Sequence, residues 1–148
     1  MLNEDYIFLN IDVSTKDDVL RFISHQAKIM NITDDEEKLY NDFIARENEF
    51  PTGLQDGFAI PHARTENVKD IAIMYLTTMQ DIEWGTLDEK PVKHMFALLV
   101  PSHHDGNIHL QMISKLATCL LEDDFKTKIK SSQDKAELKE YILKEMEV

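Results

Sequence analysis

The sequence predicts an α/β domain, a mixed β-sheet of about five strands sandwiched by helices. Three observations carry that expectation. Residues 6–13, "YIFLNIDV", set Ile7, Leu9, Ile11 and Val13 on one face in strict alternation, the period of a strand. Helix-period patterns occupy the two ends of the chain, with short apolar runs between them. One of those runs, "VKHMFALLVP" at 92–101, is unbroken in its apolar character from Met95 to Val100, as a strand covered on both faces is.

The elements follow in order. Ser14 and Thr15 offer N-caps for a first helix, with Val19, Ile23 and Ala27 at four-residue spacing. "TDDE" at 33–36 reads as a capping box for a second helix. That helix buries Leu39, Tyr40, Phe43 and Ile44 and ends near Glu49, before Pro51. "GFAIPH" (57–62), "IAIMYLTT" (71–78) and the 92–101 run are bounded by polar or Pro/Gly signals and read as strands. "SHHDGN" then turns the chain into a helix over "IHLQMISKLATCLLE", where Cys119 is expected to be a buried small hydrophobe. Two shorter helices finish it, one near "DFKTKIK" and one at 134–147 with Leu138, Tyr141 and Ile142 on one face. There is no repeat, low-complexity tract or linker, so a single domain is expected over 1–148.

Composition narrows the function. At 43% apolar and 30% charged residues the chain is of ordinary globular make-up, and 148 residues suffice to bury roughly 70% of the unfolded surface. The net charge of −12 and the lack of a Lys/Arg cluster argue against nucleic acid or an anionic membrane as partner. A basic or mixed-charge protein partner suits this charge better. No apolar stretch approaches the ~20 residues of a membrane span. The acidic N-terminus lacks a secretory pattern, and one cysteine fits a reducing compartment. A cytoplasmic protein is therefore expected.

Several chemistries fall away. Gly53 and Gly57 are not followed by a Lys-Ser/Thr pair, and no G-x-G-x-x-G or G-x-S-x-G is present. His103, His104, Asp105 and His109 match no zinc spacing and read as a polar turn before a helix; a metal-dependent hydrolase built on them would need bound metal. His25 and His94 read as structural. Neither a metal nor a cofactor is expected.

The stretch "TGLQDGFAIPH" (52–62) raises a different possibility. A strand would deliver His62 to its end after a stiffening proline. Arg46 ends a predicted helix just before this loop, and its planar fork of donors matches phosphate oxygens. His109 falls in the first turn of the helix after the buried strand, where free N–H groups and the dipole favour an anion. Sharing a face with Ile113, Leu116 and Leu120, its ring should be half covered. Singly, each has an ordinary explanation: a turn histidine, a surface ion pair, a helix-start histidine. If they converge, they form a phosphate site around a nucleophilic nitrogen.

The run "GLQDGFAIPHA", with "RE" at 46–47, Val92 ahead of "MFALLVP", and "HL" at 109–110 with its following leucines, resembles enzyme IIA of the bacterial sugar phosphotransferase system, fructose/mannitol superfamily. "ARENEFPTGL" (45–54) is similar to the galactitol-type branch. Asp56 departs from the pattern, since many members carry Asn there. The resemblance implies a mixed sheet sandwiched by helices and a phosphotransferase in which His62 is phosphorylated on Nε2. His62 would accept phosphate from the carrier HPr and pass it to a cysteine of a separate enzyme IIB chain, ahead of a membrane-bound IIC. It implies His109 and Arg46 as active-site partners; Thr52 is a candidate hydroxyl donor and Gln55 a supporting residue. Leu54, Phe58 and Ile108 are the expected partner surface, although Phe58 also reads as core. The transported compound would be galactitol or a related polyol or sugar. The alternative within the same fold is a regulatory domain that signals to a protein partner without feeding a transporter.

Overall fold

A computed structural model of the chain describes residues 1–104 and 106–146. Asp105 of the histidine-rich turn, and the end of the predicted last helix at 147, lie outside the described residues. The elements are β1 (Ile7–Ile11), α1 (Lys16–Ile29), α2 (Glu36–Glu49), β2 (Phe58–Ala59), β3 (His62–Thr65), β4 (Ala72–Ile82), β5 (Val92–Pro101), α3 (Gly106–Cys119), α4 (Asp123–Ser131) and α5 (Lys135–Met146). The sheet runs β1-β4-β5-β2, and β3 also pairs with β5. β4 and β5 are antiparallel, while β1 on β4 and both β2 and β3 on β5 are parallel. The expected mixed five-stranded sheet with helices on both faces is the observed architecture.

Alternation along the central strands decides which helices cover which face. Met74 and Leu76 of β4 and Met95, Ala97 and Leu99 of β5 pack with Val19, Ile23, Leu39 and Phe43 of α1 and α2. Their neighbours Ile73, Tyr75, Phe96, Leu98 and Val100 pack with Met112, Leu116, Phe125, Leu138 and Ile142 of α3–α5. Both faces of β5 are therefore dry, which is why its sequence is continuously apolar.

Local chemistry sets the ends. Thr15 caps α1, its side chain accepting from the Asp18 N–H. At α2 the cap is Asp35, which accepts from the Glu37 and Lys38 N–H groups. Thr33, expected to open a capping box, instead hydrogen-bonds around Asp35. A carboxylate two residues on is already an N-cap acceptor, so it displaces the threonine. β3 begins at His62 and runs on to Thr65, whereas the sequence placed His62 at a strand's end. β2 and β3 keep one register against β5, Phe58 opposite His94 and His62 opposite Leu98, and the break between them spans Ile60 and Pro61, a residue with no N–H to donate.

One buried pair gives the fold a pH dependence. The Tyr75 hydroxyl, its pKa pushed up by burial, is hydrogen-bonded to His94 Nδ1 at 2.8 Å. Burial, with Lys130 and Lys93 nearby, pushes the His94 pKa down to about 4. Below pH ~6.5 the unfolded chain takes up a proton on this ring and the folded chain does not, so the associated stability is complete above that pH and lost as pH falls toward 4. The loss is on the order of 3 kcal/mol. His94→Gln, which keeps an acceptor for Tyr75 but cannot titrate, should flatten the decline by that amount in urea unfolding between pH 7 and 4. Equal slopes for the two proteins would remove His94 as its source.

Candidate functional site

The site begins with a turn. Asp56 and Gly57 both have positive φ, 59° and 86°, inside a loop closed by the Leu54 N–H on the Phe58 carbonyl at 2.8 Å. Asp-Gly suits such a turn because both residues tolerate the left-handed region. Asp56, the departure from the family pattern, keeps this conformation, and its carboxylate binds Lys126 at 2.5 Å. Gly53 has no room for a side chain, since a Cβ there would lie 2.2 Å from the Gly85 carbonyl oxygen. The loop thus returns the chain to β5 and then into His62.

His62 is 6% exposed. Its Nδ1 lies 2.7 Å from the Ile60 carbonyl oxygen, an acceptor only, so Nδ1 carries the proton and Nε2 carries the lone pair. Burial first, then the nearby Arg46 and His109, hold the His62 pKa below its ordinary value despite the Ile60 hydrogen bond. The ring is therefore neutral at pH 7, as a nitrogen nucleophile must be. His109 stands beside it with ring centroids 5.4 Å apart, and burial, Arg64 and Arg46 lower its pKa as well. His109 Nε2 is buried and has no hydrogen-bond partner among the described residues. A buried ring nitrogen left unpaired costs about 1–3 kcal/mol.

His62, His109, Arg46 and Arg64 line one cleft of about 410 Å³, with Asp42 and Glu49 at its wall. Arg46 sits in the last turn of α2 and donates through one nitrogen to the Phe50 carbonyl at 2.9 Å, leaving its other donors to the cleft. Asp42 fixes α2 against β3 by accepting from the Thr65 hydroxyl at 2.6 Å and the Asn67 amide at 2.7 Å. Helix and strand therefore hold Arg46 and His62 in a set relation. A larger cleft, about 510 Å³ between α1 and α2, includes Asp12, Asp18, Glu36 and Glu37 in its lining, and the hydroxyl of its buried Ser24 is committed to the Leu20 carbonyl at 2.9 Å.

The three residues proposed to converge do converge; the supporting ones do not. Thr52 is buried, and its hydroxyl donates to the Glu47 carboxylate while accepting from the Trp84 indole at 3.2 Å. With its proton committed, Thr52 is a loop anchor, not a donor to the cleft. Gln55 donates to the Leu120 carbonyl at 3.3 Å, tying the loop to the end of α3. Phe58 is fully buried against His94 and Phe96 and cannot be partner surface. Leu54 is half-buried against the α3–α5 side of the core, while Ile108, beside His109, is exposed.

Two residues escaped the sequence reading. Arg64 lies two positions after His62, hence on the same face of β3, and donates to the Ser102 and His104 carbonyls at 2.9 and 2.8 Å. It pins the turn before α3 and adds positive charge beside His109. The strand spacing alone was signal enough to find it. Glu47 stands in the "RE" pair at 46–47, but nothing in its local sequence marks it as buried. A charged residue next to Arg46, it is buried and anchors the Thr52 loop, with Lys16 at 2.8 Å. Among the described residues no group of three or more His, Cys, Asp or Glu side chains is arranged to hold a metal ion. No helix there is long and apolar enough to cross a membrane.

Comparison with known proteins bears on the family and the fold. The family model described as "Phosphoenolpyruvate-dependent sugar phosphotransferase system, EIIA 2" matches residues 1–145. The "PTS system fructose-specific EIIA component" of Haloferax volcanii is 28% identical over 97% of this chain and 92% of its own length. The "PTS system 2-O-alpha-mannosyl-D-glycerate-specific EIIABC component" of Escherichia coli is 24% identical over 93% of this chain, which spans only 21% of that longer protein. Among solved structures, the nitrogen regulatory protein IIA-Ntr of Neisseria meningitidis superposes with a TM-score of 0.86 at 26% identity, covering 93% of this chain and 92% of that one. The Escherichia coli complex of enzyme IIA for mannitol with phosphorylated enzyme IIB shares the fold, with a TM-score of 0.75 at 18% identity over 99% of this chain and 97% of that one.

Proposed function

This chain belongs to the EIIA 2 family of the phosphoenolpyruvate-dependent sugar phosphotransferase system, and from that premise we propose that its 148 residues form a single phosphoryl-carrier domain with His62 as the carrier. The observation that carries the reading is the hydrogen bond from His62 Nδ1 to the Ile60 carbonyl, which leaves Nε2 as the nucleophile beside a buried, unpaired His109 Nε2. The Nε2 lone pair forms the new N–P bond as the N–P bond of phosphorylated HPr breaks, its electron pair returning to the donor imidazole. The His62 ring gains positive charge, and the Ile60 carbonyl stabilises it through a bond that strengthens with charge. A IIB cysteine thiolate then attacks phosphorus, and the pair returns to Nε2. The transferring group carries its charge on three oxygens in a loose transition state. Arg46 and the His109 Nε2–H are the donors assigned to those oxygens, with Arg64 adding field.

HPr and the IIB chain dock in turn on the same rim, where Ile108, Leu110 and Phe50 are exposed and acidic residues surround the cleft. For substrate, the segment 45–54 supports galactitol or a related polyol or sugar handled by IIC, in a cytoplasmic relay; the fructose and mannosylglycerate names belong to the relatives. The regulatory alternative has its own support in the likeness to IIA-Ntr. Phosphorylation by HPr with no transfer to any IIB cysteine would favour that reading, and label on His62 that chases onto IIB would favour the relay.

Arg46→Lys tests the fork. A point charge cannot hold two oxygens of one phosphoryl group, so transfer from HPr should slow by about tenfold or more with the fold intact. An unchanged rate in rapid-quench labelling would take Arg46 out of the transfer step.

A further inference from the structure

We infer that the protein carries a second anion site, a cleft for a small phosphomonoester formed by Lys90, Lys93, Lys130 and His94. This cleft, about 430 Å³, shares no lining residue with the His62 cleft and has the size of a small-ligand site. His94 lies four residues before Leu98, the partner of His62 across the sheet, or roughly 13 Å along β5.

Charge makes the case. In a chain with 28 acidic and 16 basic residues, the lysines at 90, 93 and 130 make no ion pair among the described residues, yet all three face one cleft. Of the two carboxylates on the wall, Asp56 is paired with Lys126 at 2.5 Å and Asp81 is unpaired among the described residues; outside the wall Asp88 lies near Lys90, so the cleft keeps an excess of positive charge. Unpaired like charges repel one another, and a dianion relieves that repulsion.

Two further features shape the site. Tyr75 is fully buried and the only described partner of its hydroxyl is His94 Nδ1 at 2.8 Å; the tautomer that lets the hydroxyl donate there puts the proton of the neutral ring on Nε2. That N–H has no protein acceptor among the described hydrogen bonds, and His94 lines the cleft. The Lys130 ammonium stands 5.4 Å from the Phe58 ring centroid, a cation–π contact that restrains a side chain otherwise free to wander. One neutral donor, a restrained cation and two more lysines lining the same cleft suit a phosphate group. Pro91 and Gly57 leave wall space for the body of an ester.

The test is a ¹⁵N chemical-shift titration of the intact protein with glucose 6-phosphate, inorganic phosphate and, at matched ionic strength, sodium chloride. Saturable shifts at amides 90–94 and 130 are expected with glucose 6-phosphate, and at least tenfold weaker binding in Lys93→Gln/Lys130→Gln. Both lysines are exposed, so that variant should keep the wild-type spectrum elsewhere. Equal binding of inorganic phosphate would support the site and identify free phosphate as its ligand. Shifts reproduced by chloride, confined to residues near His62, or unchanged in the double variant would overturn it. The result is independent of whether His62 is phosphorylated, which the transfer assay reads separately.

Discussion

His62→Ala should accept no phosphate at all from phosphoenolpyruvate, enzyme I and HPr, measured as acid-labile label on the protein. The magnitude follows from stoichiometry: the lone pair that forms the N–P bond belongs to one atom, Nε2, and no neighbour reproduces its setting. His109 is the nearest alternative. Among the described residues, however, its ring shows no counterpart to the Ile60 carbonyl that fixes the His62 tautomer at 2.7 Å. His62→Gln serves as the folding control, since a carboxamide can occupy the space without becoming a phosphohistidine. Both variants should unfold cooperatively near the wild-type midpoint while taking up nothing. Label persisting in either, mapped to His109, would move the acceptor to that ring and undo the assignment of roles.

The wild-type rate should also show how the nucleophile is prepared. Burial, Arg46 and His109 all lower the His62 pKa, so acceptance from HPr should stay level from pH 8 to below 6.5 and fall only as the ring protonates in more acid solution. Removing one of the positive neighbours shifts that fall toward higher pH.

Much of this arrangement is legible in the sequence, and the parts that are not are of one kind. β5 announced its double burial through six consecutive apolar residues, and α1 announced its cap and its face, because both are properties of a local segment. Convergence of His62, His109 and Arg46 depends on β3 and β5 sharing a register and on Asp42 tying α2 to β3, which are long-range facts. The misreadings have the same origin. Thr52 looked like a free hydroxyl because nothing near it in sequence shows that Glu47, one turn back on α2, is buried and facing it. Gln55 looked like a site residue because Leu120, its acceptor, is 65 positions away. Phe58 was assigned to a surface and to the core at once, and the stack with His94 settles it as core. Polar groups reveal their type in sequence but not their partners, and partners decide whether a hydroxyl is available.

The second large effect is at His109, where function and stability should move separately. Its Nε2 is buried without a partner among the described residues, so the resting protein carries an unpaired polar atom whose cost is about 1–3 kcal/mol. On the proposed reading Nε2 carries the ring proton, and the cost is relieved when a phosphoryl oxygen accepts from it. A donor fixed in place before the charge develops needs no reorganisation during the step, and deleting such a donor slows transfer by roughly 10²-fold. His109→Ala should therefore lose about that factor in transfer both from HPr and to IIB, while its unfolding free energy changes by less than about 1 kcal/mol, since lost contacts are offset by removal of the orphan. The same substitution removes a neighbour that lowers the His62 pKa, so the acid limb of the rate profile should move to higher pH. His109→Gln restores an N–H in a similar place and should recover part of the rate but not the pH profile of the wild type. A variant that is strongly destabilised, with transfer lost only in proportion to unfolded protein, would make His109 a packing residue and leave Arg46 alone with the phosphoryl oxygens.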